Sequence, residues 1–319
     1  MTNRRDPANP AKMLSASGKR VDAQMQLGFR ELVALGRLPG WHSVASMGRV
    51  DVAPAGTYEI YEAAAPTVPV RPASLANAGA LTVSSDDAAD TAAGDGAQIV
   101  GVGYLDGQGR ERLAQVTMAG IGAVAAVEAR QTFDPDTLVL TGGIELRDPS
   151  GPPVPVTDCY RVNEVFTNRA GVDGENAGIL IALIAAVAQT LVAPQRNRNV
   201  HAFYAVPKGQ VAMVTGVGIQ GGAISGGEPI ELQGSRGSPL GPGPWQTLEP
   251  MQQTLSTLLA ELPVWRRMSP LSEVRARFIK TGAAAVNLIA GCDLVVGPDP
   301  RAPDPAIEAE PWLFPPRMG

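Results

Sequence analysis

Along most of the chain, apolar residues alternate with polar or small ones in short runs, and Gly or Pro ends each run before it reaches helix length. A period of two marks strands with one buried face. Val50, Val52, Tyr58 and Ile60 alternate across a break at Pro54 and Gly56. Residues 98–104 and 112–118 predict a hairpin around Asp106-Gly107-Gln108-Gly109, residue types that fold back on their own backbone. Residues 138–140 and 144–146 predict a second hairpin around Thr141-Gly142-Gly143, where glycine supplies positive φ. Residues 160–167 alternate, and 203–206 with 211–217 predict a third hairpin around Pro207-Lys208-Gly209. A short strand is expected near 230–232, and 274–279 and 287–296 close the pattern as two strands joined through Thr281-Gly282.

Three stretches depart from this period. Residues 179–187 are apolar throughout, so their alanines fit a buried helix and their Ile and Val a buried strand, and periodicity leaves both open. Leu248, Met251, Leu255, Leu258, Leu259 and Leu262 lie near helical spacing, with Pro250 tolerated in a first turn. Met25, Phe29, Leu32, Val33 and Leu35 predict a short helix, weakened by Gly28 and Gly36, behind a polar, basic arm of about 20 residues. The fold class expected is mainly β: antiparallel sandwich or barrel domains with a short N-terminal arm and little helix. The expected division is an arm or anchor at 1–40, a β-domain at 41–170 carrying a hairpin insertion at about 133–156, a second β-domain at 171–297, and a Pro-rich tail at 298–319.

Composition sharpens that picture. The 319 residues are 45% hydrophobic, enough for a sizeable core, but only 5% aromatic, and 36 Gly with 28 Pro favour many short strands and turns. A net charge of −5 offers nucleic acid or an anionic membrane no attraction. Residues 1–20 lack the apolar centre of a secretory signal, and the apolar run at 179–187 is far short of the ~20 residues a bilayer span needs. Two cysteines, Cys159 and Cys292, form no disulfide framework and read as buried thiols.

Candidate chemistry is sparse. Gly216-Val-Gly218-Ile-Gln-Gly221 matches G-x-G-x-x-G, but a dinucleotide site needs a helix to begin at once, which Gly222, Gly226, Gly227 and Pro229 forbid. Asp86, Asp87, Asp90 and Asp95 lack the spacing of a calcium loop and read as turn formers. His42 and His201 are the only histidines, and neither lies in a cluster with metal-ligand spacing. No G-x-S-x-G turn is present, so a hydrolase would have to use paired carboxylates, as in glycoside cleavage. No catalytic residue, cofactor or metal ligand is assigned. Trp41, Trp245, Trp265 and Trp312 lie in Gly- or Pro-flanked segments and are candidate subunit contacts.

The segment Ser84, Ser85, Asp90, Thr91, Gly94, Gly96, Ala97, leading into a strand that ends Tyr104-Leu105-Asp106, resembles the virion structural proteins of tailed bacteriophages, a fibre-like and decoration family. Arg161-Val162-Asn163 with residues 174–179, Tyr204-Ala205-Val206-Pro207-Lys208-Gly209, and residues 273–278 with Asp293-Leu294-Val295-Val296 follow in the same order. The resemblance spans about 80–297, sets 133–156 apart as an insertion, and implies strand at 247–262, against the helical stripe. It implies a non-catalytic β protein of the virion, assembled in the host bacterial cytoplasm, that associates with itself as a trimer and with tail adaptor, portal-proximal or capsid proteins. A fibre-like protein on the tail or neck is the first expectation, a capsid decoration protein the alternative, and a carbohydrate-active enzyme of the virion the third.

Overall fold

The computed structural model describes residues 4–6, 9–14, 20–22, 32–33, 38, 40–52, 55–60, 70–131, 144–146, 153–221, 229–252, 257–280 and 286–299. Strands β1 (Arg4–Asp6), β2 (Asn9–Leu14) and β3 (Arg20–Asp22) form a small antiparallel meander. After β4 (His42–Val52) and β5 (Gly56–Glu59) come nine strands: β6 (Leu81–Ser85), β7 (Ala97–Asp106), β8 (Glu111–Thr117), β9 (Gly122–Ala125), β10 (Val127–Gln131), β11 (Ile144–Leu146), β12 (Cys159–Ala170), β13 (Leu180–Ile184) and β14 (Val187–Val192). The chain closes with β15 (Phe203–Ala205), β16 (Gln210–Gly221), β17 (Pro229–Ser235), β18 (Trp245–Gln252), β19 (Thr257–Met268), β20 (Glu273–Lys280) and β21 (Val286–Pro298). The protein is mainly β, and its strands pair antiparallel.

Two sandwiches result. The sheets β11-β10-β8-β7-β12 and β14-β13-β6-β9 enclose a core that includes Leu81, Val83, Val102, Tyr104, Val165 and Leu180. The sheets β15-β20-β17-β18, with β5 also on β20, and β19-β16-β21-β4 enclose a second core that includes Tyr58, Ile60, Ile219, Leu232, Phe278 and Leu288. The alternation seen in the sequence is the alternation of burial, as in β6 and β13, where every second residue is buried.

The division expected at 170/171 is therefore corrected. β13 and β14 complete the sheet begun by β6, so the first sandwich runs from 81 to 192. It is inserted between β5 and β15 of the other, whose strands β4 and β5 pair with β21 and β20. Residues 203–205 and 211–217 are strands but not a hairpin: β15 pairs with β20, while β16 lies between β19 and β21 in the opposite sheet. The turn between them carries the chain from one sheet to the other. The described parts of the stripe, 247–252 and 257–262, are strand, in β18 and β19, as the resemblance implied, while 253–256 lie outside the described residues; Leu248 packs against the core and Pro250 sits on the outer strand of its sheet. Ile144–Leu146 pairs with Val127–Gln131, while 138–143 lie outside the described residues, as do the C-terminal tail from 300 and most of the helix expected at 25–38.

The apolar run at 179–187 resolves as a hairpin. Ile184 pairs with Val187, leaving Ala185 and Ala186 as a two-residue loop at φ 48° and 66°. Such a loop wants positive φ at both positions, which Asn and Gly adopt more readily than Ala. Replacing the loop by Ala185→Asn with Ala186→Gly is expected to stabilise the protein by about 1 kcal/mol, seen as a raised thermal midpoint; an unchanged or lowered midpoint would count against the strained turn.

Candidate functional site

The loop between β6 and β7 is built around Asp90, which is fully buried. Its Oδ1 accepts the N–H groups of Ala97 (2.6 Å) and Ala177 (2.9 Å), and its Oδ2 accepts the Ser85 hydroxyl (2.6 Å) and the Gly178 N–H (3.0 Å). Asp86 accepts the Ile179 N–H at 2.6 Å, and Asp87 closes a turn onto the Ala89 N–H at 2.8 Å. A side chain at Gly96 or Gly178 would collide with these carboxylates. The Ser/Asp/Gly segment thus joins β6, β7 and β13, staples one sheet of the inserted sandwich to the other, and uses its acids on backbone donors. Asp106 does the same for the β7–β8 turn: burial alone would raise its pKa, but the N–H groups of Arg110 and Gln108 and the Arg110 and Arg112 guanidinium groups hold it below the usual range.

The two sandwiches meet across a polar junction. Arg161 on β12 and Glu273 on β20, both about 2% exposed, pair at 2.6 Å. Arg161 also donates to the carbonyls of Pro72 and Tyr160, both at 2.8 Å, and to the Tyr160 hydroxyl at 3.1 Å, with its guanidinium 3.8 Å from the Tyr160 ring centre. Asn163 exchanges two hydrogen bonds with the backbone of Ala205, at 2.9 and 3.0 Å, and so closes the outer edge of β15. Glu59 binds Arg71 through both oxygens and faces Arg275 at 3.6 Å; these cations outweigh its burial and lower its pKa. Arg71 stacks on Phe203 and Arg275 on Trp245, around a small apolar cluster of Leu105, Tyr160, Phe203 and Ala205. His201 is buried here with its Nε2 2.9 Å from the Asn163 carbonyl, which assigns the proton to Nε2. Burial dominates its titration, against the pull of that carbonyl and of Glu59, and lowers its pKa to about 4.

Beside the junction a cleft of about 170 Å³ opens between β4 and the outer face of the inserted sandwich. Its walls include His42 and Ser43, Glu111 and Glu164, and Gly103, where a Cβ would lie 3.5 Å from that of Glu164. Partial desolvation raises the pKa of Glu111, opposed by His42 and by a hydrogen bond with Gln210. Glu164 pairs with Arg198 at 2.9 Å. At the floor lies Tyr204, 3% exposed, whose hydroxyl is buried and hydrogen-bonds no described residue. Burial, and then the nearby charges of Glu111 and Glu164, push its pKa well up.

The residues singled out in the sequence are scattered. Trp41 covers Gly297 on β21 and is half-buried; Trp245 belongs to the junction under Arg275; Trp265 lies on β19, with its side chain outside the described residues, as is all of Trp312. The G-x-G-x-x-G run is strand β16, with no helix following among the described residues. Cys159 and Cys292 are buried apart in the two cores, their thiols pushed up by burial, Cys292 to about 12. Among the described residues no helix is long and apolar enough to cross a membrane, and no three His, Cys, Asp or Glu are placed to hold a metal. Sequence reasoning named Arg161, Tyr204 and Glu273 only as motif residues without a role, and passed over Glu59 and Arg71. A charge at Arg161 inside the run Cys159-Tyr160-Arg161-Val162 was the available signal.

No family model and no curated protein matches the chain. Among solved structures it is similar to the VP16–VP17 complex of the two major capsid proteins of bacteriophage P23-77, at 9% identity over 82% of this chain and 100% of that chain, with a TM-score of 0.19. VP17 of the same phage matches at 9% identity over 82% and 97%, TM-score 0.21, and a structure of infectious bursal disease virus, Gt strain, at 9% over 88% and 79%, TM-score 0.22. At these scores the chains do not superpose as one fold.

Two outcomes are expected. Asp90→Ala leaves three backbone N–H groups and a hydroxyl without their acceptor and should cost about 3 kcal/mol or more in urea unfolding; a loss under about 1 kcal/mol would deny the staple its role. His201 binds its proton more weakly folded than unfolded, so stability should rise with pH between about 4 and the ordinary value near 6.5 and level off above it. The effect is on the order of 3 kcal/mol at most. Urea midpoints measured from pH 4.5 to 7 should show that slope, and His201→Gln, which keeps a donor for Asn163, should flatten it.

Proposed function

We propose that this chain is a non-catalytic structural subunit of a virion, of the fibre-like kind attached to the tail or neck, that associates with itself as a trimer and with other virion proteins. One observation carries the reading: the polar residues that most resemble a site are spent on the scaffold. Asp86, Asp87, Asp90 and Asp106 hold backbone N–H groups, His201 is held neutral against the Asn163 carbonyl, and the cysteines are buried thiols of raised pKa. The order of phage-like motifs along 80–297 supplies the class. Trp41 and the unmatched edge of β4 are the surfaces offered for subunit contact. Capsid decoration is the second reading, favoured by two compact sandwiches without a sequence repeat, which suit a plate over a shell. A carbohydrate-active role draws only on Glu111 and Glu164 in the cleft.

Sedimentation of the purified chain is expected to give a trimer, and a monomer at all concentrations would overturn the self-association. Quantitative mass spectrometry of virions should find the low copy number of a tail or neck component. Hundreds of copies would move the assignment to capsid decoration, and turnover of host polysaccharide by the purified chain would replace it with an enzyme.

A further inference from the structure

The cleft beside β4 is incomplete as it stands. Two carboxylates border it, Glu111 without a cationic hydrogen-bond partner and Glu164 with only the outward Arg198, whose side chain is 64% exposed. The Tyr204 hydroxyl at the floor is buried and hydrogen-bonds no described residue. A guanidinium or ammonium group has the matching chemistry: its several N–H donors suit carboxylate and phenolic oxygens, and it brings a permanent positive charge beside Glu111, which otherwise has only His42.

The sequence has an excess of such groups in one place. Of its 26 Lys and Arg and 31 Asp and Glu, residues 1–40 hold seven and three, namely Arg4, Arg5, Lys12, Lys19, Arg20, Arg30 and Arg37 against Asp6, Asp22 and Glu31. The remainder has 19 against 28, so a segment of net charge +4 precedes a body of −9. The N-terminal meander ends in two unmatched outer strands, β1 with Arg4 and Arg5 and β3 with Arg20, and among the described residues it pairs with no strand of its own body. The cleft is bordered by β4, the outer strand of its sheet, exposed at His42, Ser43 and Ala45. An outer strand of this kind accepts another chain by backbone pairing.

We propose that the cleft is a docking site for a basic side chain from the N-terminal segment of a second copy of this chain. An outer strand of the meander adds to the edge of β4 and places an Arg or Lys between Glu111 and Glu164, against Tyr204. The inference rests on the self-association read above and specifies its contact. It makes assembly sensitive to salt, because the attraction is between a cationic segment and an acidic body.

The test uses the full chain. Sedimentation equilibrium should show self-association weakened tenfold or more by Glu111→Gln with Glu164→Gln, and equally by Arg4→Ser, Arg5→Ser and Arg20→Ser together, with circular dichroism unchanged. Carbodiimide coupling in a mixture of ¹⁴N- and ¹⁵N-labelled chains should join Lys12 or Lys19 to Glu111 or Glu164 in hybrid-mass peptides. Cross-links confined to one isotope would show the segment folding back on its own body and overturn the inference. An oligomer indifferent to all the substitutions would overturn it too, while leaving the assembly reading intact. A wild-type chain that stays monomeric would overturn both.

Discussion

The ion pair between Arg161 and Glu273 sets the relation of the two sandwiches. Burying a carboxylate and a guanidinium costs several kcal/mol per ion, and their attraction offsets that only where the remaining donors and acceptors are also satisfied. Here Arg161 reaches Glu273, two carbonyls and a hydroxyl, and the Tyr160 ring covers its face. An apolar contact would tolerate sliding of one sandwich over the other; a buried pair with fixed hydrogen-bond directions does not. The neighbouring contacts follow from that fixed register. Asn163, two residues beyond Arg161, falls opposite Ala205, and Phe203 falls under Arg71.

The junction also deals with strand edges. β15 has only three residues and would present an unpaired edge at the centre of the molecule, which the Asn163 amide closes by imitating a strand partner. β18 carries Pro250 on its outer position. β4 has neither device along 42–45, and the cleft lies against that stretch. That stretch is where the proposed contact with a second copy would fall.

Much of the fold was legible because burial in a sandwich follows the strand period, as β8 and β20 show where strands were expected at 112–118 and 274–279. Pairing was not legible. The stretches at 203–206 and 211–217 look like a hairpin since a Pro-Lys-Gly turn separates them, yet the turn passes between sheets, and local residues are the same in both cases. The 185–186 turn was hidden because alanines occupy positions that glycine and asparagine usually mark. The insertion of one sandwich into the other depends on contacts between residues more than two hundred positions apart, such as Asp51 with Asn287, which no local pattern encodes.

The site was the least legible part, for a related reason. Glu273, Arg275 and Arg277 alternate with Val274, Ala276 and Phe278, which is how a solvent face reads, and the apolar half does enter the core. The charged half is covered instead of wet: Glu273 meets Arg161 of the other sandwich, and Arg275 packs between Glu59 and Trp245 of its own. Whether an alternating charged face is wet or buried depends on what the rest of the chain lays against it. In this protein the chain crosses twice between the sandwiches, at 60–81 and at 192–203, and Arg71, Pro72, Asn199 and His201 all sit on those crossings. The insertion thus produces both the sealed junction and the open cleft: β12 meets β20 through Arg161 and Glu273, while Glu111, Glu164 and Tyr204 line the gap beside β4.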